Sequence, residues 1–202
     1  FATAGYQFDT DYFYQGSGLL TIDNSAFYVS GDFDRWGGSI SATGSTIALD
    51  GTGNQSYLSH DAIGSLVVFT AGTLTLNSNL QVNEHLTFQG VGLDTNGHAV
   101  ALTGTGYQSI DINGAGLEDL EITSGASVDF IGTLNVTRKL TINSATSING
   151  LIGVQGDVLI DATLGIVRIA NDLDVTGTVR LIGASATLAF EGTQSIVQGT
   201  VS

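Results

Sequence analysis

Short triplets in which two apolar residues flank a polar one recur along the chain. Examples are Leu74-Thr75-Leu76, Leu80-Gln81-Val82 and Leu86-Thr87-Phe88. A period of two places the flanking residues on one face of a strand and the middle residue on the other. Clusters of Gly, Asn, Ser and Asp separate the triplets, and these residues bend or reverse a chain. No long stretch has an apolar period of 3.6 residues, so the pattern predicts an all-β chain.

The triplets repeat at long range. A shift of 54 residues places residues 66–88 on residues 120–142 and keeps eight apolar positions in register, and a third copy begins at Val158. A second repeated motif, which we call the marker, is an apolar-Ala-apolar triplet followed by Gly-Thr-Gly-x-Gln-Ser. It occurs at residues 47–56 and 100–109 and, one residue shorter, at 188–195. Such internal repetition is typical of solenoids.

Strands of three to five residues suit the faces of a parallel β-helix (β-solenoid), in which successive coils pair about 4.8 Å apart. Coils of roughly 20–24 residues would give about eight to ten coils. The 28 Gly residues fit frequent turns, and the absence of Pro fits strands that are paired on both edges. The alternative is a β-sandwich, pilin-like subunit, which fits poorly with a 54-residue repeat of preserved spacing.

The marker and the triplets that follow it resemble the Gly/Thr/Asn-rich β-solenoid repeats of large bacterial surface and secreted proteins, such as filamentous-haemagglutinin-like adhesins and autotransporter passengers. The resemblance covers residues 44–198. It implies a right-handed parallel β-helix, an extracellular or cell-surface location, and a role in adhesion, scaffolding or assembly rather than catalysis.

Residues 1–43 differ in composition from the repeat region, residues 44–202. Ten of the 16 aromatic residues lie within residues 1–36. A solenoid needs covered ends, and aromatic residues are favoured at interfaces. The segment is therefore expected to be an N-terminal cap or a subunit-docking surface, with direct carbohydrate binding as a third interpretation.

Residues 196–202 are uncharged and form no charged cap, which predicts head-to-tail docking of copies into a filament. The alternative is that the chain, which begins at Phe1, is a processed or excerpted part of a longer solenoid. The candidate assembly residues are Phe1, Tyr6, Phe8, Tyr12, Phe13, Tyr14, Phe27, Tyr28, Trp36, Leu188, Phe190, Ile196, Val197 and Val201.

Charge and composition exclude several classes of protein. The chain has 19 Asp and Glu against 5 Lys and Arg, a net charge of −14, which argues against binding nucleic acid. It has no Cys for disulfides or thiolate metal sites, and no apolar run long enough for a membrane-spanning helix. Spread over the coils, the charge would make lateral faces repel one another and would favour growth end to end.

The sequence contains no recognisable catalytic constellation, and no cofactor is expected. His60, His85 and His98 lack ligand spacing and are expected at the surface, and Arg138-Lys139 is expected at a turn tip. Solvated faces or turn caps are favoured over a Ca²⁺ site for the carboxylate groups. These groups are Asp9/Asp11, Asp32/Asp34, Glu118/Asp119/Glu121 and Asp172/Asp174, the last beside Asn171.

Asn54 and Asn135 begin Asn-x-Ser/Thr sequences and are candidate glycosylation sites. The predicted function is that of a non-enzymatic, extracellular structural subunit that docks with copies of itself. The alternative is an adhesin or phage-fibre-type module that binds surface glycans. A polysaccharide-degrading enzyme is disfavoured because basic residues are scarce.

Overall fold

The computed structural model describes residues 6–90, 92–123, 127–144, 146–161, 166–170, 172–182, 187–190 and 200–201. The chain is a β-solenoid of about eight turns, with parallel strands stacked in coils. The described residues form no helix, and hence none that is able to cross a membrane. The predicted all-β parallel solenoid is confirmed, and the sandwich alternative is wrong. The chain packs as two units, residues 1–98 and 99–202.

The first unit contains thirteen strands among its described residues. They are β1 (Gln7–Thr10), β2 (Phe13–Gln15), β3 (Leu19–Thr21), β4 (Ala26–Val29), β5 (Phe33–Arg35), β6 (Ser39–Ser41), β7 (Thr46–Leu49), β8 (Gln55–Leu58), β9 (Ser65–Val68), β10 (Thr73–Leu76), β11 (Leu80–Val82), β12 (His85–Phe88) and β13 (Gly92–Asp94).

The second unit contains eleven strands among its described residues. They are β14 (Ala99–Leu102), β15 (Gln108–Asp111), β16 (Gly116–Ile122), β17 (Ser127–Ile142), β18 (Ser147–Val154), β19 (Asp157–Asp161), β20 (Ile166–Ile169), β21 (Leu173–Val175), β22 (Thr178–Ile182), β23 (Thr187–Phe190) and β24 (Thr200–Val201).

Each coil of the first unit contributes to three strand faces. One face runs β1-β4-β7-β9-β12, a second runs β2-β5-β8-β10-β13, and a third joins β3 to β6 and includes a bridge between Ile63 and Val82. Leu66 pairs with Ile47 on one side and with Leu86 on the other. One coil therefore takes about 20 residues.

The second unit has the same coil length but longer strands. Val100 pairs with Leu120, and Leu120 pairs with Leu140. β17 has 16 residues and bends so that different parts of it pair with β15 and with both ends of β16. Its register shifts between Asp129 and Thr133, where Gly132 has a φ of 80°, a conformation that glycine adopts without strain.

The alternation read from the sequence sets which residues are inward. Leu66, Leu74, Leu86 and Leu120 are all less than 3% exposed and lie in the apolar interior. Because 54 residues is not a whole number of 20-residue coils, the shift that aligns residues 66–88 with 120–142 does not relate one coil to an equivalent coil. The two segments are alike because every face obeys the same in–out alternation.

Residues 7–41 also form coils. β1, β2 and β3 pair with β4, β5 and β6, and β4 continues into β7 of the repeat region. The aromatic segment thus shares a sheet with the residues that follow residue 43. It can do so because its Phe side chains occupy the inward positions that Leu, Ile and Val occupy in the following coils. Its role as a cap or a docking surface stays a prediction.

The corner after β5 requires glycine. Gly38 has a φ of 78°, and a Cβ atom placed on it would lie 2.3 Å from the carbonyl oxygen of Gly18 in the preceding coil. Gly18 has a φ of 84° at the corresponding corner, but a Cβ atom there would have no neighbour within 4 Å. Adjacent coils therefore approach too closely at Gly38 for any side chain.

Candidate functional site

The predicted aromatic cluster is divided by the strand alternation into an inward and an outward part. Inside, Phe8 stacks on Phe27 with ring centroids 4.9 Å apart, Phe13 stacks on Phe33 at 4.9 Å, and Phe33 stacks on Tyr57 at 5.4 Å. Phe27, Phe33 and Tyr57 are buried, whereas Phe8 and Phe13 on the first coil are half-buried. Two inward rings of the first described coil are therefore partly exposed.

The outward part forms a surface that we call the aromatic platform, which consists of Tyr12, Tyr14 and Trp36 together with Asp34. The three aromatic side chains are 49%, 60% and 63% exposed. Tyr14 is the register partner of Asp34 in the next coil. The backbone N–H of Trp36 donates to the Gln15 carbonyl at 3.0 Å, which places Trp36 beside the end of β2.

A hydrogen bond between coils fixes one edge of the platform. The Tyr12 hydroxyl donates to Oδ2 of Asp34 at 2.8 Å, and this bond raises the pKa of Tyr12 above its usual value. The second unit repeats the arrangement, because the Tyr107 hydroxyl donates to Oδ2 of Asp129 at 2.7 Å and its pKa is raised for the same reason. Tyr107 is 54% exposed.

The other predicted assembly residues are scattered. Tyr6 is exposed just before β1, and Tyr28 is half-buried in β4. Phe27 is 1% exposed, so it lies in the core and does not form part of a contact surface. In β23, Leu188 is half-buried and Phe190 is 37% exposed. Val201 belongs to β24, while Phe1, Ile196 and Val197 lie outside the described residues.

A buried guanidinium lies behind the platform, and no motif in the sequence indicates it. Arg35 is 1% exposed. Its Nη2 contacts Oδ2 of Asp61 at 2.6 Å, Nε donates to the Ser59 hydroxyl at 3.1 Å, and Nη1 donates to the Gly38 carbonyl at 3.0 Å. Tyr57 lies beside this group, and burial raises its pKa. The arrangement is structural, because a buried charge needs such partners.

The Gln of the repeated marker also has a structural role. Gln55 is 3% exposed, and its amide nitrogen donates to the carbonyl of Val29 at 2.9 Å and to that of Gly31 in the previous coil. Its amide oxygen accepts the N–H of Gly51 at 3.0 Å. Gln108, in the second copy of the marker, is buried as well. In its first copy, the marker thus places a buried amide that satisfies the backbone of a corner.

The carboxylate groups do not converge on a metal site among the described residues. Asp119 is instead held by Arg138, whose Nε donates to it at 2.8 Å. Arg138 and Lys139 lie inside β17, and the expected turn tip is wrong because the chain continues as one strand through that corner. Lys139 and Arg180 line a shallow cavity of about 570 Å³ with Asp157.

Two of the three histidines lie on the same cavity. His60 and His98 line a pocket of about 300 Å³ together with Asn79, which lies 19 residues, or one coil, from each of them. The sequence analysis missed this arrangement, because the 19-residue step between these positions is shorter than the roughly 20–24 residues assumed for one coil. Both predicted glycosylation positions, Asn54 and Asn135, are exposed, and Oδ1 of Asn54 accepts the N–H of Thr73 at 3.0 Å.

Comparisons with known proteins add no identity to this geometry. The chain matches no protein-family model, no curated protein and no solved structure.

Proposed function

We propose that the protein is a non-enzymatic, extracellular building block whose coil stack is extended when another copy docks on the outer edge of its first coil. The observation that carries the proposal is Phe13, an inward ring of the first described coil that stacks on Phe33 and is only half-buried. Covering the exposed part of such a ring stabilises a contact by up to about 1.5–3 kcal/mol. The location at the cell surface rests on the resemblance of the repeats.

The backbone of β1 also supports docking. Ala26 N donates to Tyr6 O at 3.2 Å, and Ser30 N donates to Thr10 O at 3.0 Å. In a parallel ladder, neighbouring residues direct their N–H and C=O groups to opposite sides. The N–H of Asp9 therefore points away from β4, toward the outer edge. Such an edge is a template for another parallel strand.

The occupant that fits this edge is another copy of the chain. A parallel coil of about 20 residues is best covered by a coil of the same length and alternation, and β23 and β24 supply strands of that kind in the second unit. Leu188 and Phe190 add partly exposed apolar side chains. Such a contact is heterologous and continues from copy to copy when it does not close into a ring. The net charge of −14 opposes lateral association.

The test compares Asp9→Pro with Asp9→Ala in the full chain. Proline removes the outward N–H and leaves the bonds to β4, whereas alanine removes only the carboxylate. Sedimentation velocity and negative-stain electron microscopy should show concentration-dependent end-to-end oligomers for the wild type and Asp9→Ala. Asp9→Pro should weaken association by about tenfold or more.

Circular dichroism confirms folding, and Gln7→Pro, whose N–H points the same way, replaces Asp9→Pro if that variant unfolds. A wild-type chain that stays monomeric at about 0.1 mM contradicts the proposal. Association that neither proline variant weakens contradicts it equally.

A further inference from the structure

The aromatic platform is a separate surface from the edge of the first coil, and its chemistry points to a ligand. Tyr12, Tyr14 and Trp36 are each about half exposed or more, although much of the surface of large aromatic residues is usually buried in a soluble protein. Exposed apolar patches mark binding sites. The two Tyr rings also have contacts that restrict their positions.

Contacts restrict both Tyr side chains of the platform. A Cβ atom on Gly16 would lie 3.3 Å from the Tyr14 hydroxyl and 3.5 Å from its Cε1, so glycine leaves the space along which the ring lies. The Tyr12 hydroxyl is anchored to Asp34 at 2.8 Å. Binding to rings that are already ordered costs little conformational entropy.

The polar groups decide which ligand fits the rings. The carboxylate of Asp34 is half-buried between Tyr14 and the Tyr12 hydroxyl, and its oxygens accept hydrogen bonds. Asp32 lies close enough to Tyr12 to raise the pKa of that side chain. Aromatic faces next to acceptors suit a molecule with a C–H face and a rim of hydroxyl or amide donors. A pyranose ring has this combination.

Charge restricts the class further. Residues 1–98 contain nine Asp and Glu residues and a single cation, Arg35, which is buried and paired with Asp61 at 2.6 Å. The surface of this unit therefore repels anionic polymers such as uronates, sulfated glycans and nucleic acids. We propose that the aromatic platform binds an uncharged polysaccharide, with Tyr14 and Trp36 stacking on sugar rings and Asp34 accepting hydrogen bonds from the sugar.

The test uses cellohexaose, maltohexaose and chitohexaose as uncharged probes and polygalacturonate as the anionic control. Titration calorimetry measures binding, and Trp36, the single tryptophan, supplies a fluorescence signal. Trp36→Ala and Tyr14→Ala should each weaken binding by about tenfold or more. Tyr107→Ala is the matched control, because Tyr107 is exposed and hydrogen-bonded to an Asp in the same way, and it should leave binding unchanged.

The outcomes separate this inference from end-to-end docking. Asp9→Pro should leave saccharide binding intact, since Asp9 lies in β1 and not on the platform. The inference is overturned if no uncharged probe binds at about 10 mM, if binding survives both platform substitutions, or if polygalacturonate binds better than the neutral probes. Loss of self-association in Trp36→Ala and Tyr14→Ala, with no sugar bound by the wild type, would instead assign the platform to a protein contact.

Discussion

Gln15 and Arg35 are register partners in β2 and β5, and each donates a hydrogen bond to the carbonyl oxygen of the glycine three residues later. Gln15 reaches Gly18 at 3.0 Å, and Arg35 reaches Gly38 at 3.0 Å. Two adjacent coils therefore close the same corner in the same way, one with a neutral amide and the other with a charged guanidinium.

Replacing the Arg35 guanidinium tests whether an uncharged amide such as that of Gln15 can close the same corner. Arg35→Ala removes bonds to Gly38, Ser59 and Asp61 and leaves a cavity, and it should lower the free energy of unfolding by about 3 kcal/mol. Arg35→Gln should recover part of the loss because it imitates Gln15. Urea unfolding followed by far-UV circular dichroism measures both.

The matched control is Arg138→Ala. Arg138 also pairs with an aspartate, but its side chain is 55% exposed, so its removal should cost less than about 1 kcal/mol. Equal losses for Arg35→Ala and Arg138→Ala would show that burial of the first pair does not matter.

Alanine substitutions at three glycines of the first unit can distinguish the cost of a positive φ from the cost of a steric clash. A Cβ atom placed on Gly53 would have no neighbour within 4 Å, and the φ of this residue is not positive. Gly18 has only the positive φ, and Gly38 has both the positive φ and a 2.3 Å approach to backbone. Substitution by alanine should cost little at Gly53, about 1 kcal/mol at Gly18, and clearly more at Gly38. Urea midpoints of the three variants give the order, and any other order contradicts the explanation of the corner.

The buried amide of the marker should be sensitive to a change that keeps its size. Gln55→Met fills similar space but leaves the N–H of Gly51 without the bond it now makes, while the carbonyl of Val29 loses one bond and keeps the one from the N–H of Asp50. The expected loss is about 1–3 kcal/mol. Gln81→Met is the control, since Gln81 is half-buried and its amide makes an exposed, 3.4 Å bond to His60. A Gln55→Met variant as stable as Gln81→Met would remove the structural role of the marker.

Alkaline pH should destabilise the first unit through Tyr57. Burial raises the pKa of its hydroxyl in the folded state above the value of about 10 in the unfolded chain. The stabilisation is therefore complete below pH of about 10 and is lost as the pH rises toward the folded-state pKa. Tyr57→Phe should make the free energy of unfolding less dependent on pH between about 9 and 11. An unchanged pH dependence would assign the effect to other groups.

The sequence was sufficient to predict the fold class because the solenoid depends on a local rule. Leu74 and Leu76 are inward and Thr75 lies between them on the other face, as alternation requires, and repetition of that rule distinguishes stacked coils from a sandwich. The aromatic segment follows the same rule with different residues. Phe27 and Phe33 are inward like the aliphatic residues of later coils, but the aromatic composition of residues 1–36 suggested a region distinct from the repeats.

The sequence could not reveal contacts that depend on the coil length. Arg35 and Gln55 occupy inward positions that alternation assigns to apolar residues, and their partners Asp61 and Val29 lie about 26 residues away. His60 and His98 meet on one cavity only because two coils span the distance between them. A correct coil period, rather than the 54-residue shift, is the information that would have related these positions.

The pairing offset of about 20 residues in Leu66 and its neighbours has a consequence for how such a chain can change over generations. A duplication or loss of one coil returns every following residue to an equivalent inward or outward position, so the remaining pairs re-form with their old partners one coil along. The number of coils is thus a trait that can vary in whole steps. The first-coil edge and the aromatic platform can be inherited unchanged while the distance from them to the rest of the protein grows or shrinks.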